Sequence, residues 1–177
     1  MRLTAPLDAI TFNAQDIYGQ QISLSDFQGK KVILSFFRDA ACPFCNFRVF
    51  EFTHKYKAWK HQGVEIIAVF SSPSDEVRDH VARYPRPFRL MSDPELTIYN
   101  KYGVEKSTSA LWKALIFKLP RIIRGMIKGG RPRPNPNVTL VPADFLINEQ
   151  GKIEDVWYGS NTSDHIPLDR IDAFIGR

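Results

Sequence analysis

Two uninterrupted apolar runs, KVILSFF at residues 31–37 and VEIIAVF at 64–70, constrain the fold more than any other feature of the chain. Each is β-branched and aromatic and lacks strict alternation, which is the pattern of a strand buried on both faces. Between them, residues 43–61 read as one helix closed by Gly63, with Pro43 at its first position, where a missing N–H costs nothing. Two buried strands joined by a helix make a parallel pair with a crossover.

The rest of the chain extends this frame. Residues 10–28 carry short β-prone pieces around a turn at Tyr18-Gly19. A helix is expected over 71–84 with Pro73 near its start, a short strand over 89–91, and a helix ending at Gly103. ADFLINEQGKIEDVWYG reads as a hairpin, and a last helix covers 168–175. The order β-β-β-α-β-α-β-α-insertion-β-β-α mixes crossovers with an antiparallel edge, and therefore implies an α/β three-layer sandwich around a central mixed sheet. At 177 residues the chain is read as a single domain, 1–177, with a basic amphipathic insertion at 105–136.

That insertion holds eight basic residues against Glu105, a local charge of +7 in a chain whose net charge is +5. Basicity thus belongs to one segment, and the remainder offers no polycationic surface, so nucleic acid is not an expected partner. Trp112, Leu115, Ile116, Leu119, Ile122, Ile123, Met126 and Ile127 recur at helical spacing, and Pro120 divides them into two short helices. The expected role is a lid or substrate wall beside residues 42–45, covering the outward arc Phe44, Phe47 and Phe50. A partner contact and reversible attachment to an anionic membrane surface are the alternatives. No apolar run approaches the length of a membrane span, and residues 1–12 show no signal-peptide pattern, so the expected location is cytoplasmic.

The chain has two cysteines, both in RDAACPFCNFR at 38–48. In a reducing compartment a close pair is more often redox-active or metal-binding than structural. A zinc site would need two more ligands, and His54, His61, His80 and His165 form no second motif. No bound cofactor is expected, because the sulfurs carry the electrons. Cys42 stands at the helix tip, where free N–H groups and the helix dipole favour a thiolate, with Arg38 and Arg48 nearby. Cys45 shares a 100° stripe with Val49, Phe52, Tyr56 and Trp59 and should face the sheet. Cys42 is then the exposed, attacking sulfur and Cys45 the sheltered one that resolves a mixed disulfide. Arg38 is either a thiolate stabiliser or a solvated loop charge, and Asp39 either a proton acceptor or an exposed loop carboxylate.

FNAQDIYGQQISLSDFQGKKVILSFF, CPFCNFR, SDPELTIYNKYGV and ADFLINEQGKI resemble successive blocks of the alkyl hydroperoxide reductase and thiol-specific antioxidant (AhpC/TSA) proteins, the peroxiredoxin-like branch of the thioredoxin fold. The resemblance implies a thiol oxidoreductase. Its substrate would be a thiol, disulfide or hydroperoxide, protein-bound or small, and an external thiol would supply the electrons. The peroxiredoxin motif Pro-x-x-x-Thr-x-x-Cys falls on Arg38, Cys42 and Cys45, so proline has become arginine and threonine a second cysteine. The family's other active-site arginine falls on Pro142, where thioredoxins carry a cis-proline facing the cysteines. Pro142 is accordingly either a cis, substrate-positioning residue or a trans residue starting a strand. These departures favour thiol–disulfide exchange over a peroxidase in which Cys45 attacks the peroxide. A noncatalytic interaction or membrane-surface module, with the cysteines vestigial, is the third alternative.

Overall fold

The computed structural model describes residues 1–106, 137 and 139–177 of the chain. In chain order the elements are β1 (Leu7–Asp8), β2 (Asn13–Gln15), β3 (Gln21–Ser23), a 3-10 turn (Leu24–Phe27), β4 (Lys31–Phe37) and α1 (Pro43–His61). Then come β5 (Val64–Phe70), α2 (Ser74–His80), β6 (Arg89–Ser92), α3 (Thr97–Lys101), β7 (Ala143–Ile147), β8 (Lys152–Tyr158) and α4 (Leu168–Ile175). The main sheet has six strands in the order β1-β8-β7-β4-β5-β6, and β2 pairs with β3 in a separate ribbon. β4, β5 and β6 run parallel, while β7, β8 and β1 join antiparallel, so the sheet is mixed as the pattern implied.

Every residue of β4 and β5 is buried, because helices cover both faces of the sheet. On one face Ile33 and Phe37 share a cluster with Val49, Phe52, Tyr56 and Trp59 of α1 and with Ile171, Phe174 and Ile175 of α4. On the other, Val32, Leu34 and Phe36 pack with Ile98 and Tyr99 of α3, with Tyr102 and with Phe145. Phe36 sits edge-on to both Tyr99 and Phe145, at 4.9 and 5.7 Å between ring centroids. Truncating a ring at the centre of such a layer, for example Phe52→Ala, costs about 3–5 kcal/mol. Lys31 is the exception in its apolar strand. Its ammonium donates to the last carbonyls of α4, Phe174 O at 3.2 Å and Ile175 O at 2.9 Å, and so caps that helix.

Two expectations change. β1 is an additional two-residue edge strand held on β8 by Leu7↔Ile153 and Asp8↔Lys152. α2 spans Ser74–His80 rather than 71–84, since Ser71 and Ser72 are committed to loop hydrogen bonds at one end and a turn follows Val81 at the other. The helices expected within 105–136 lie outside the described residues. An antiparallel bridge pairs Lys106, at the start of that segment, with Leu140, shortly after its end. No helix among the described residues is long and apolar enough to cross a membrane.

Candidate active site

β4 delivers the chain to the carboxyl edge of the sheet, and α1 begins six residues later. Cys42 is the N-cap, extended at φ −71° and ψ 123°, and Pro43 opens the helix. Residues 38–42 would otherwise be a short loop with little to hold it, yet most of its polar groups have a partner. The Asp39 carboxylate accepts from Ala41 N–H at 2.8 Å, and its carbonyl accepts from Cys42 N–H at 3.3 Å. Asn46, one turn into α1, reaches back with its amide to Ala40 O at 2.7 Å and Cys42 O at 3.1 Å. From the neighbouring strand connection, Ser72 Oγ accepts from Ala40 N–H at 3.0 Å and Ser71 Oγ donates to Arg38 O. Tyr99 OH donates both to Phe37 O and to Val69 O, tying together the ends of β4 and β5. The loop is thus fixed on three sides.

The two cysteines are free thiols and lie within hydrogen-bond contact of each other. Cys45 occupies the inner stripe of α1 at 1% exposure, as its spacing required. Cys42 corrects the expectation, since it is only 4% exposed. A position at a helix tip says nothing about the preceding loop, and here that loop folds back so that the Arg38 guanidinium meets the sulfur. Arg38 Nη2 donates to Cys42 Sγ at 3.0 Å. Arg48 turns away instead, donating to Ile166 O at 2.9 Å and lying over Phe52.

These contacts separate the two thiols. The Cys45 thiol hydrogen bond favours the Cys42 thiolate most. Burial opposes it, but the Arg38 charge and the facing Cys45 amide add to the first effect, and Cys42 falls to about 5. The amide does this without completing a cap hydrogen bond. Donating to that thiolate, in a buried position beside its charge, pushes Cys45 well above the ordinary thiol range. At neutral pH the pair therefore holds one thiolate and one thiol, joined by a hydrogen bond.

Pro142 lies at the same edge, because Phe36↔Ala143 is the outermost β4–β7 pair. Its peptide bond is trans; the cis bond among the described residues is Ala5–Pro6. The strand-starting alternative is the one realised, and Pro142 O continues the ladder by accepting from Gly159 N–H at 2.8 Å. A Cβ at Gly159 would stand 2.5 Å from Asp164 O and 3.0 Å from the Pro142 ring, so close backbone packing requires glycine there. The outward arc is exposed: Phe47 at 62% and Phe50 at 51%, with their rings stacked at 6.4 Å. No group of three His, Cys, Asp or Glu side chains that could hold a metal occurs among the described residues.

Sequence reasoning missed Asn46, Ser71 and Ser72, which fix the loop, and the buried pair Asp144–His165. Only Asp144 left a signal, a carboxylate inside the run ADFLI that otherwise reads as fully buried.

The AhpC/TSA family model matches residues 7–156. Thiol-disulfide oxidoreductase ResA of Halalkalibacterium halodurans is 35% identical over 155 residues, covering 87% of this chain and 68% of that protein. Peroxiredoxin Bcp of Escherichia coli is 25% identical over 154 residues, covering 87% of this chain and 85% of that one. Matches to chloroplastic peroxiredoxin Q proteins are shorter; that of Sedum lineare, 29% identical, spans 52% of this chain and 50% of the relative. Among solved structures, peroxidoxin BcpB of Mycobacterium tuberculosis superposes with a TM-score of 0.68 at 16% identity, covering 97% of this chain and 93% of that one. A protein assigned as thiol:disulfide interchange protein DsbE of Chlorobium tepidum gives 0.65 at 22%, covering 98% and 99%. Both show the thioredoxin-like fold. The family match and the helix-tip dithiol agree, and the chain belongs to the AhpC/TSA family as a thiol oxidoreductase.

Proposed function

We propose that the chain is a thiol–disulfide oxidoreductase in which Cys42 attacks and Cys45 resolves. One observation carries the choice: the hydrogen-bonded pair is asymmetric, with Cys42 held as thiolate at about 5 and Cys45 held as thiol. Attack needs a thiolate at working pH, and resolution needs a second sulfur within bonding reach. Arg38 serves as the thiolate's hydrogen-bond donor, which its 3.0 Å contact supports. Pro142 forms part of the opposite wall, which its place at the edge of β7 supports. Protein or small-molecule disulfides are the substrates and an external thiol restores the dithiol. A reducing, cytoplasmic location belongs to the same reading. The main sheet takes strands from residue 7 to residue 158, which supports reading 1–177 as one domain carrying the insertion at 105–136.

A second reading, hydroperoxide reduction with Cys45 attacking, is favoured by the likeness to peroxiredoxin Bcp along 85% of that protein. It requires ionising the more deeply buried and less acidic sulfur. Stopped-flow mixing of the reduced protein with hydrogen peroxide, an organic hydroperoxide and a disulfide separates the two. The expected result is rapid disulfide reaction lost in Cys42→Ser, with a stable mixed disulfide in Cys45→Ser. Fast peroxide oxidation lost in Cys45→Ser but kept in Cys42→Ser would establish the second reading instead.

A further inference from the structure

Phe47, Phe50, His54, Lys57 and His61 recur at helical spacing along the outer face of α1, and all five are exposed. They form a ridge of about 21 Å that starts two residues after Cys45 and leads away from the cysteines. Its first part is aromatic. The Phe47 and Phe50 rings stack, and the His54 ring lies 4.0 Å from that of Phe50. Neighbouring large apolar rings, each exposed by half or more, are what a protein contact buries. The ridge is also set in advance of any contact, since His54 Nδ1 donates to Phe50 O at 2.9 Å and Thr53 Oγ1 to Val49 O at 2.7 Å.

The far part of the ridge is basic and ends in a recess of about 280 Å³, lined by Thr53, Tyr56, Lys57, Lys60, His61 and Pro87 and by no carboxylate. Arg86 reaches the same place, donating to Thr53 Oγ1 at 3.4 Å and to Val81 O at 2.9 Å. Lys55 is paired with Asp172 and Lys60 with Glu65, but neither Lys57 nor Arg86 has a carboxylate partner among the described residues. Positive charge is therefore left over beyond the aromatic rings, and it decides the occupant. A second copy of the chain would bring the same excess of cations against it. A flat layer of anionic headgroups would also reach Glu51 and Asp172, which lie on the flank toward α4 beside Arg48 and Lys55. A single narrow acidic segment can follow the cations alone.

We propose that this ridge docks an acidic, apolar-anchored segment of a protein disulfide substrate, an inference that rests on the disulfide-exchange reading above. Apolar side chains of the segment cover Phe47 and Phe50, and its carboxylates meet Lys57 and Arg86 at the recess. Docking holds the substrate beside the helix tip that carries Cys42 and raises the effective concentration of its disulfide there. The sulfur chemistry itself is unchanged.

The test uses the reduced full chain and two synthetic peptides, each closed by one disulfide and carrying a tail of leucines with glutamates or of leucines with lysines. Neutral dipyridyl disulfide, too small to span the ridge, is the reference for every rate. At low salt the glutamate peptide should be reduced roughly tenfold faster than the lysine peptide, and the advantage should fade as salt rises. Lys57→Glu should abolish or invert the preference. Phe50→Ser should raise KM for the glutamate peptide several-fold relative to the reference, with kcat kept. Both side chains are exposed, so neither change opens the core. Equal rates for the two peptides in the wild-type protein, a preference that survives Lys57→Glu, or peptide and reference slowed by one common factor would overturn the proposal. Equal peptide rates together with binding to phosphatidylserine vesicles that is lost in Phe50→Ser would assign the ridge to a membrane surface instead. If neither the peptides nor dipyridyl disulfide is reduced, the disulfide-exchange reading fails and the proposal with it, whereas normal reduction of dipyridyl disulfide with equal peptide rates removes the docking alone.

Discussion

Two ionised clusters stand at opposite ends of the β4–β5 pair. At the amino end Glu65 accepts from Lys30 Nζ at 3.2 Å, from Lys60 and from Tyr56 OH at 2.8 Å. Burial would raise its pKa, but these donors more than offset that and hold it below the usual carboxylate range. None of those partners can exchange roles with it, so the cluster is structural. At the carboxyl end the Cys42 thiolate is held by Arg38 and by a second thiol that can itself become the nucleophile. Charge there is discharged by making a bond. Burial and hydrogen bonds act in both places, and the chemistry of the donor separates a reactive site from a brace.

The proton linkage runs in the same direction at both ends. Glu65 and Cys42 are both depressed on folding. Each therefore contributes stability that is complete above its unfolded pKa and is lost as the pH falls through the folded value. For Cys42 the loss runs from the ordinary thiol range down to about 5, in the reduced protein alone.

Substitutions can break this contrast. The largest effect is expected from Cys42→Ser, which should abolish reaction with disulfides altogether while leaving the fold in place, as circular dichroism would check. Next comes Arg38→Met, which removes a donor to a charged group. It should raise the Cys42 titration above about 5 and slow alkylation near pH 5 by roughly tenfold. An unchanged midpoint would show that the guanidinium does not hold the thiolate. Smallest at the site is Glu65→Gln, expected to lower unfolding stability by about 1–3 kcal/mol in denaturant titration without moving the Cys42 midpoint. A shifted midpoint would mean the two ends are coupled.

Much of this arrangement was legible in the residues. The continuous apolar runs at 31–37 and 64–70 specified the central strands, and the spacing of Cys45, Val49, Phe52, Tyr56 and Trp59 specified the buried stripe of α1. β1 was not legible, because two residues carry no periodicity and their pairing depends on β8. The burial of Cys42 escaped for a related reason. It depends on a loop held by Ser71, Ser72 and Asn46, two of them about thirty residues away in the chain. His165 was equally hidden, since its partner Asp144 lies 21 residues earlier and no local motif joins them. Local pattern reveals which face is buried, whereas polar partners across the fold are set by tertiary contact.

The pH dependence of iodoacetamide reaction at each cysteine of the reduced protein, resolved by peptide mass spectrometry, tests the asymmetry of the pair most directly. The expected result is modification of Cys42 with a midpoint at about 5 and a plateau through neutrality, while Cys45 stays unmodified. A Cys42 midpoint in the ordinary thiol range, or earlier modification of Cys45, would contradict the assignment of roles.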